Sequence, residues 1–328
     1  MNRRHVVVAL AALLLLAGGV LVSQRARRQV PLRYAEIPQE TKDFFRGIER
    51  AGGDIVARFR EEPVEESWRN ETNEGEDAGN GFFKLEDDDF IVYYHPGDDN
   101  AAKANLLFAA AKRAVRPLAD LFGKYYHPAD ANGRKLALYV CRDRAEFERL
   151  STSRNPYAVA VASMTFSPTG ALCHGLFFAP ETFTSVGWRP GDAASSLRVQ
   201  RTVWHEMAHY VFFSSLDLST PLRHPQWVTE GVADYASGDT DRLREVDPAG
   251  IIPLTEFETG KYSGVWLRSA YWIGYTAFVF MGEHYSPDNV RRFLQLSYRN
   301  PTQRSIEQAT GVSFAQFDSD WQASIRLR

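Results

Sequence analysis

The chain reads as an α+β protein, with an antiparallel-sheet lobe preceding a helical lobe. Alternating apolar runs crowd between Phe82 and Phe178, turn-forming residues separate them, and after Asp192 the apolar residues recur at helical spacing instead. With 328 residues, 44% of them hydrophobic and 24% charged, the chain is long enough to bury a substantial core. A formal net charge of -3 leaves no basic excess, which argues against nucleic acid as a partner.

The elements follow in order. Residues 1–23 form a signal peptide or N-terminal membrane anchor, since a short basic lead (MNRRH) precedes an uncharged apolar run from Val6 to Val22. Run length and the arginines at 25, 27 and 28 favour an uncleaved anchor; the alternative is secretion after cleavage near Ala17-Gly18-Gly19. Either way the body is expected outside the cytoplasm. Residues 24–80 read as a tether, with a one-sided apolar helix over Thr41 to Phe59 and then an acidic, turn-rich stretch holding the sequon Asn70-Glu71-Thr72.

Residues 81–328 form the folded domain. Phe82–Leu85 and Phe90–Tyr94 flank an Asp-rich turn as a hairpin, Ala101–Gly123 has helical spacing, Lys135–Cys141 alternates as a strand, and Arg144–Leu150 is a short helix. Two further strands, Ala158–Phe166 and Ala171–Phe178, flank the turn Ser167-Pro168-Thr169-Gly170. Cys141 and Cys173 are either a disulfide or two thiols packed as small apolar groups. Asp192 then caps a helix over Ala193–Phe213, and Pro225 opens a second that runs to Gly238. Trp266–His284 is apolar enough to be a buried helix, and amphipathic helices around Asp288–Tyr298 and Phe314–Ile325 close the chain.

The first helix of this second half carries WHEMAHY, Trp204 to Tyr210. Positions i and i+4 lie one above the other on a helix, so His205 and His209 can direct two imidazoles at one point. A catalytic zinc ion needs a third protein ligand and a fourth position left for water. Glu206, one step round the helix, is placed beside that water as general base. On the next helix, WVTEGVADY supplies Glu230 as the third ligand if the two helices are antiparallel neighbours. Asp234, one turn further, is placed to accept the hydrogen bond of a ligating histidine's other ring nitrogen.

HEMAH followed by WVTEGVADY resembles the signature of the gluzincin metallopeptidases of the thermolysin-like MA clan, and is most similar to the bacterial peptidase-MA-like domains. Ile252-Pro253-Leu254, the stretch from Tyr271 through Tyr285, and Ala309-Thr310-Gly311-Val312-Ser313-Phe314 follow in the order those domains show. The resemblance spans roughly residues 82–321 and is specific at the two metal helices. It implies one zinc ion held by His205, His209 and Glu230, with Glu206 as base and Asp234 supporting a histidine. It also implies a thermolysin-like fold, with the zinc site between a sheet lobe and a helical lobe and an edge strand alongside that a peptide or protein substrate could extend. The group that stabilises the oxyanion is Tyr271 by its place on the following helix, with Tyr275 and His224 as runners-up.

The function expected is zinc-dependent hydrolysis of peptide bonds by a membrane-tethered or exported protein. Two alternatives belong to other classes: an inactive peptidase-like domain serving as a zinc-stabilised binding module, and an envelope protein with no metal. A structural zinc site usually has four protein ligands and needs no adjacent base, which weighs against the first. The second makes five chemically matched residues a coincidence.

Overall fold

In Phe90–Tyr94 and Leu136–Val140 every second residue is apolar and buried, and that alternation gives the sheet one face for the main core. In this computed structural model, residues 75–126, 134–153, 155–167, 170–216, 224–259, 261–262 and 267–326 are described. Six strands make one sheet: β1 (Glu76–Gly79), β2 (Phe82–Glu86), β3 (Phe90–Tyr94), β4 (Leu136–Val140), β5 (Ala160–Ser167) and β6 (Gly170–Phe178), in the order β1-β2-β3-β4-β6-β5. The expected anchor, the Thr41–Phe59 helix and the sequon lie outside the described residues. Among the described residues no helix is long and apolar enough to cross a membrane.

The molecule is α+β, but its sheet is mixed and not antiparallel throughout. β1/β2, β2/β3 and β5/β6 are antiparallel, whereas β3/β4 and β4/β6 run parallel. Alternation identifies the face each residue takes and is silent on which strand lies beside which. The parallel pairs are joined by crossovers through α1 (Asp98–Phe122) and, after β4, through α2 (Arg144–Ser151) and β5. A second difference is β1, which falls inside the stretch read as tether; its EDAG sequence is wholly exposed and carries no apolar signal.

Leu85, Val92, Leu138 and Leu176 face the main core, where α1 packs between the sheet and the helices that follow. On the opposite face Cys141, Phe147, Phe177 and Ala179 form a small separate cluster beneath α2. Cys141 therefore belongs to that cluster while Cys173 packs against the main core, and no disulfide joins them. Burial pushes the Cys141 thiol up to about 12, as expected of a cysteine used as a small apolar side chain.

The helical half consists of α3 (Glu181–Thr184), α4 (Ala193–Ser214), α5 (Gln226–Ser237), α6 (Leu254–Glu258), α7 (Ser269–Phe280), α8 (Pro287–Ser297), α9 (Thr302–Thr310) and α10 (Phe314–Arg326). Asp192 caps α4 by accepting a bond from Ser195 N at 3.2 Å, and the Trp204 indole fastens that helix to α1 through Ala110 O at 2.8 Å. Pro225 precedes α5 and Gly238 ends it in the left-handed conformation, φ 63°. The apolar segment expected as one helix to His284 instead ends α7 at Phe280 and closes with a π-type turn over Met281–Tyr285.

Candidate metal centre

α4 and α5 pack side by side, and their facing turns bring together the residues singled out in WHEMAHY and WVTEGVADY. His205 Nε2, His209 Nε2 and Glu230 Oε2 converge: the two nitrogens are 3.0 Å apart, and the carboxylate oxygen lies 3.5 Å from the first and 3.4 Å from the second. These three form a cluster able to hold a metal ion. A tetrahedral ion with bonds of about 2.0–2.1 Å sets its ligand atoms about 3.3 Å apart, close to the edges of this triangle.

Two observations fit a cation at that point. His205 Nδ1 donates to Asp234 Oδ1 at 2.8 Å, which leaves Nε2 as the lone-pair nitrogen facing its neighbour. Glu230 Oε2 is buried without a hydrogen-bond partner. Lone pairs from a second imidazole and a carboxylate, turned on one another away from water, are repulsive unless a proton or a metal cation lies between them. Burial works to raise the Glu230 carboxyl, yet His209 and His205 in their protonated form outweigh it and hold the group well below the usual carboxylate range, so without a metal the imidazoles themselves supply the neutralising charge.

Asp234 is fully buried and uses both carboxylate oxygens, Oδ1 for His205 and Oδ2 for the Arg242 guanidinium, whose Nε donates at 2.9 Å. Arg242 also lies 4.7 Å over the Tyr271 ring, and that ring is nearly parallel to His205, centroid to centroid 6.2 Å. The sequence reading missed Arg242, which sits in the polar turn Thr240–Glu245 with no periodicity or motif to mark it.

Glu206 is 7% exposed and does not join the triangle. Its Oε2 accepts a hydrogen bond from Ala162 N at 2.7 Å. β5 is an edge strand, so this N–H points away from β6 and toward α4. Opposite Ser163 and Met164 the partner strand β6 carries one extra residue, His174, a bulge next to Gly175 at φ +143°, where a Cβ would come within 2.8 Å of the Tyr139 ring. Burial raises the Glu206 pKa against the pull of His205 and His209. A backbone donor is the same at every residue, and nothing in the sequence distinguishes Ala162.

The residue after Glu230 is a glycine, Gly231, for a steric reason. A Cβ there would lie 2.5 Å from the Cα of Gly274 on α7, so the two helices cross backbone to backbone and Tyr271 is carried close to the site. Of the three oxyanion candidates, Tyr271 is the one parallel to a histidine of the triangle, His205. Tyr275 is 2% exposed and part of the core. His224 accepts from or donates to Thr302 Oγ1 at 3.0 Å and donates from Nε2 to Ser297 O at 2.9 Å, both nitrogens thus being engaged.

The surroundings of His209 differ. Its ring stacks on Phe213 at 5.7 Å, Phe213 meets Phe212 at 5.7 Å, and Phe212 packs on His224 at 5.4 Å and Tyr298 at 5.9 Å. His209 Nδ1 is buried with no hydrogen-bond partner.

No family model matches the chain, and no curated protein matches it.

Proposed function

We propose that the chain is a zinc-dependent peptidase of the gluzincin type, resembling the thermolysin-like MA clan in placing its metal site between a sheet lobe and a helical lobe. The observation that carries the reading is Glu206. A buried carboxylate adjacent to a His-His-Glu triangle but outside it is what hydrolysis requires and what a purely structural site does not. Imidazole and carboxylate donors at tetrahedral spacing favour zinc among the common ions.

A zinc ion held by His205, His209 and Glu230 would supply a Lewis acid that makes water nucleophilic at neutral pH and polarises the scissile carbonyl. The chain's own groups do the rest. Glu206 has Oε2 fixed by Ala162 N–H, so Oε1 remains to take a proton from the attacking water. As the water oxygen bonds to the carbonyl carbon and the C–N bond breaks, Glu206 delivers that proton to the leaving amine. Asp234 holds His205 in the tautomer that presents Nε2. Tyr271 is the proposed donor to the developing oxyanion.

β5 supports a peptide or protein substrate, because an extended chain can add through its backbone to a sheet edge, here at groups other than the Ala162 N–H that Glu206 uses. The proposed setting is extracytoplasmic, with residues 1–23 as anchor or cleaved signal. The test compares the full chain with Glu206→Gln for bound zinc and for hydrolysis of a mixed peptide library. Equal zinc, with hydrolysis lower by at least about 100-fold in the variant, is expected for loss of a general base. Zinc in both proteins with no hydrolysis by either would favour the binding-module reading, and no zinc in the parent would end the metal reading altogether.

A further inference from the structure

We propose that Arg242 is a positioning residue for His205, acting through Asp234 and Tyr271; this rests on the metal-site reading above. A ligating imidazole has to be fixed in two respects, the direction of its lone pair and the tilt of its ring plane. For His205 the first is set at the ring edge by Asp234 Oδ1 at 2.8 Å, and the second at the ring face by Tyr271, parallel at 6.2 Å. Arg242 touches both of these groups: its Nε donates to Asp234 Oδ2 at 2.9 Å and its guanidinium carbon lies 4.7 Å over the Tyr271 ring.

The arginine is itself firmly held. Asp239 Oδ2 and Glu245 Oε1 each lie 3.4 Å from the guanidinium, and Asp239 accepts from Asp241 N at 3.2 Å, which orders the turn that presents it. With Oδ2 engaged, the Asp234 carboxylate has one direction left to it, toward His205. A planar guanidinium can donate at its edge while stacking on a ring, whereas an ammonium supplies charge alone. Lysine at 242 would therefore neutralise the same acids and lose the geometry.

The full chain, stripped of metal, is titrated with Zn²⁺ against a chromophoric chelator and separately with Co²⁺, recording the cobalt d–d bands. Arg242→Met is expected to weaken zinc binding by about 10- to 100-fold and to shift the cobalt bands at full occupancy. Arg242→Lys, the variant that decides should the methionine protein fail to fold, is expected to lose about tenfold and to show the same shift. Arg244→Gln removes an exposed arginine of the same turn that pairs with Asp241 and does not touch Asp234, and is expected to bind as the parent does. Parent-like zinc affinity and cobalt spectra in Arg242→Lys would overturn the proposal while leaving the metal reading intact. A parent that takes up neither ion would overturn both.

Discussion

His205 and His209 stand one turn apart on α4 and face the same point, yet the molecule holds them by opposite means. His205 is secured by charge, through Asp234, Arg242 and the acids around that arginine. His209 is secured by packing, through a run of rings from Phe213 to Phe212 to His224 and Tyr298, with Nδ1 left unpartnered. Charged partners fix direction strongly but fail badly when one is lost, because the survivor stays buried and unpaired. Aromatic packing fixes direction loosely and degrades by small steps.

The sharpest way to break this contrast is Asp234→Ala. It strands Arg242 beside a cavity and frees the His205 ring, so it should cost about 3–5 kcal/mol in denaturant unfolding, as removal of one member of a buried ion pair does. Zinc affinity should fall by about 10- to 100-fold in the same protein. A loss below 1 kcal/mol would mean that the charged side is no stiffer than the aromatic one. On the other side, Phe213→Leu removes the ring contacts to His209 and Phe212, expected to cost about 1 kcal/mol and no more than about fivefold in zinc affinity. Chelator competition and urea titration read both quantities.

The smallest effect comes from the far end of the ring stack and is a matter of pH. Burial holds the His224 pKa below its ordinary value, with the bond to Ser297 O opposing. The unfolded chain therefore takes up this proton before the folded one, and stability present above about pH 6.5 should decline as the pH falls toward the folded value. His224→Gln, which cannot charge, should flatten that part of the urea midpoint against pH. An unchanged slope would place the acid sensitivity elsewhere.

How much of this was legible in the sequence depends on the kind of interaction. α4 and α5 have local signatures at both ends: the Asp192 cap and WHEMAHY in one, and Pro225 and Gly238 bracketing the other. Their juxtaposition needed only that two helices joined by a short connection pack together. The parallel pairing of Val92, Leu138 and Leu176 left no trace, since each reads merely as an apolar position in an alternating run. Arg242 and Ala162 were invisible for different reasons. One is a charged residue in a charged turn, TDRLRE, and the other contributes a backbone N–H. Partners that act through side chains in a periodic element can be foreseen; those supplied by loops or by main chain are found only when the fold brings them in.

The crossing of α5 over α7 at Gly231 and Gly274 bears on motion. With backbone against backbone, the seam contains no side chain at that point that could change rotamer to permit sliding. Glu230 and Asp234 on one helix and Tyr271 on the other thus keep a fixed spacing, as parts of one rigid piece. Glu206, in contrast, meets β5 through one backbone hydrogen bond on an edge strand whose pairing with β6 is interrupted by a bulge at His174. Whatever enters the site would find one unyielding wall and one that can give, and the give lies beside the proposed base.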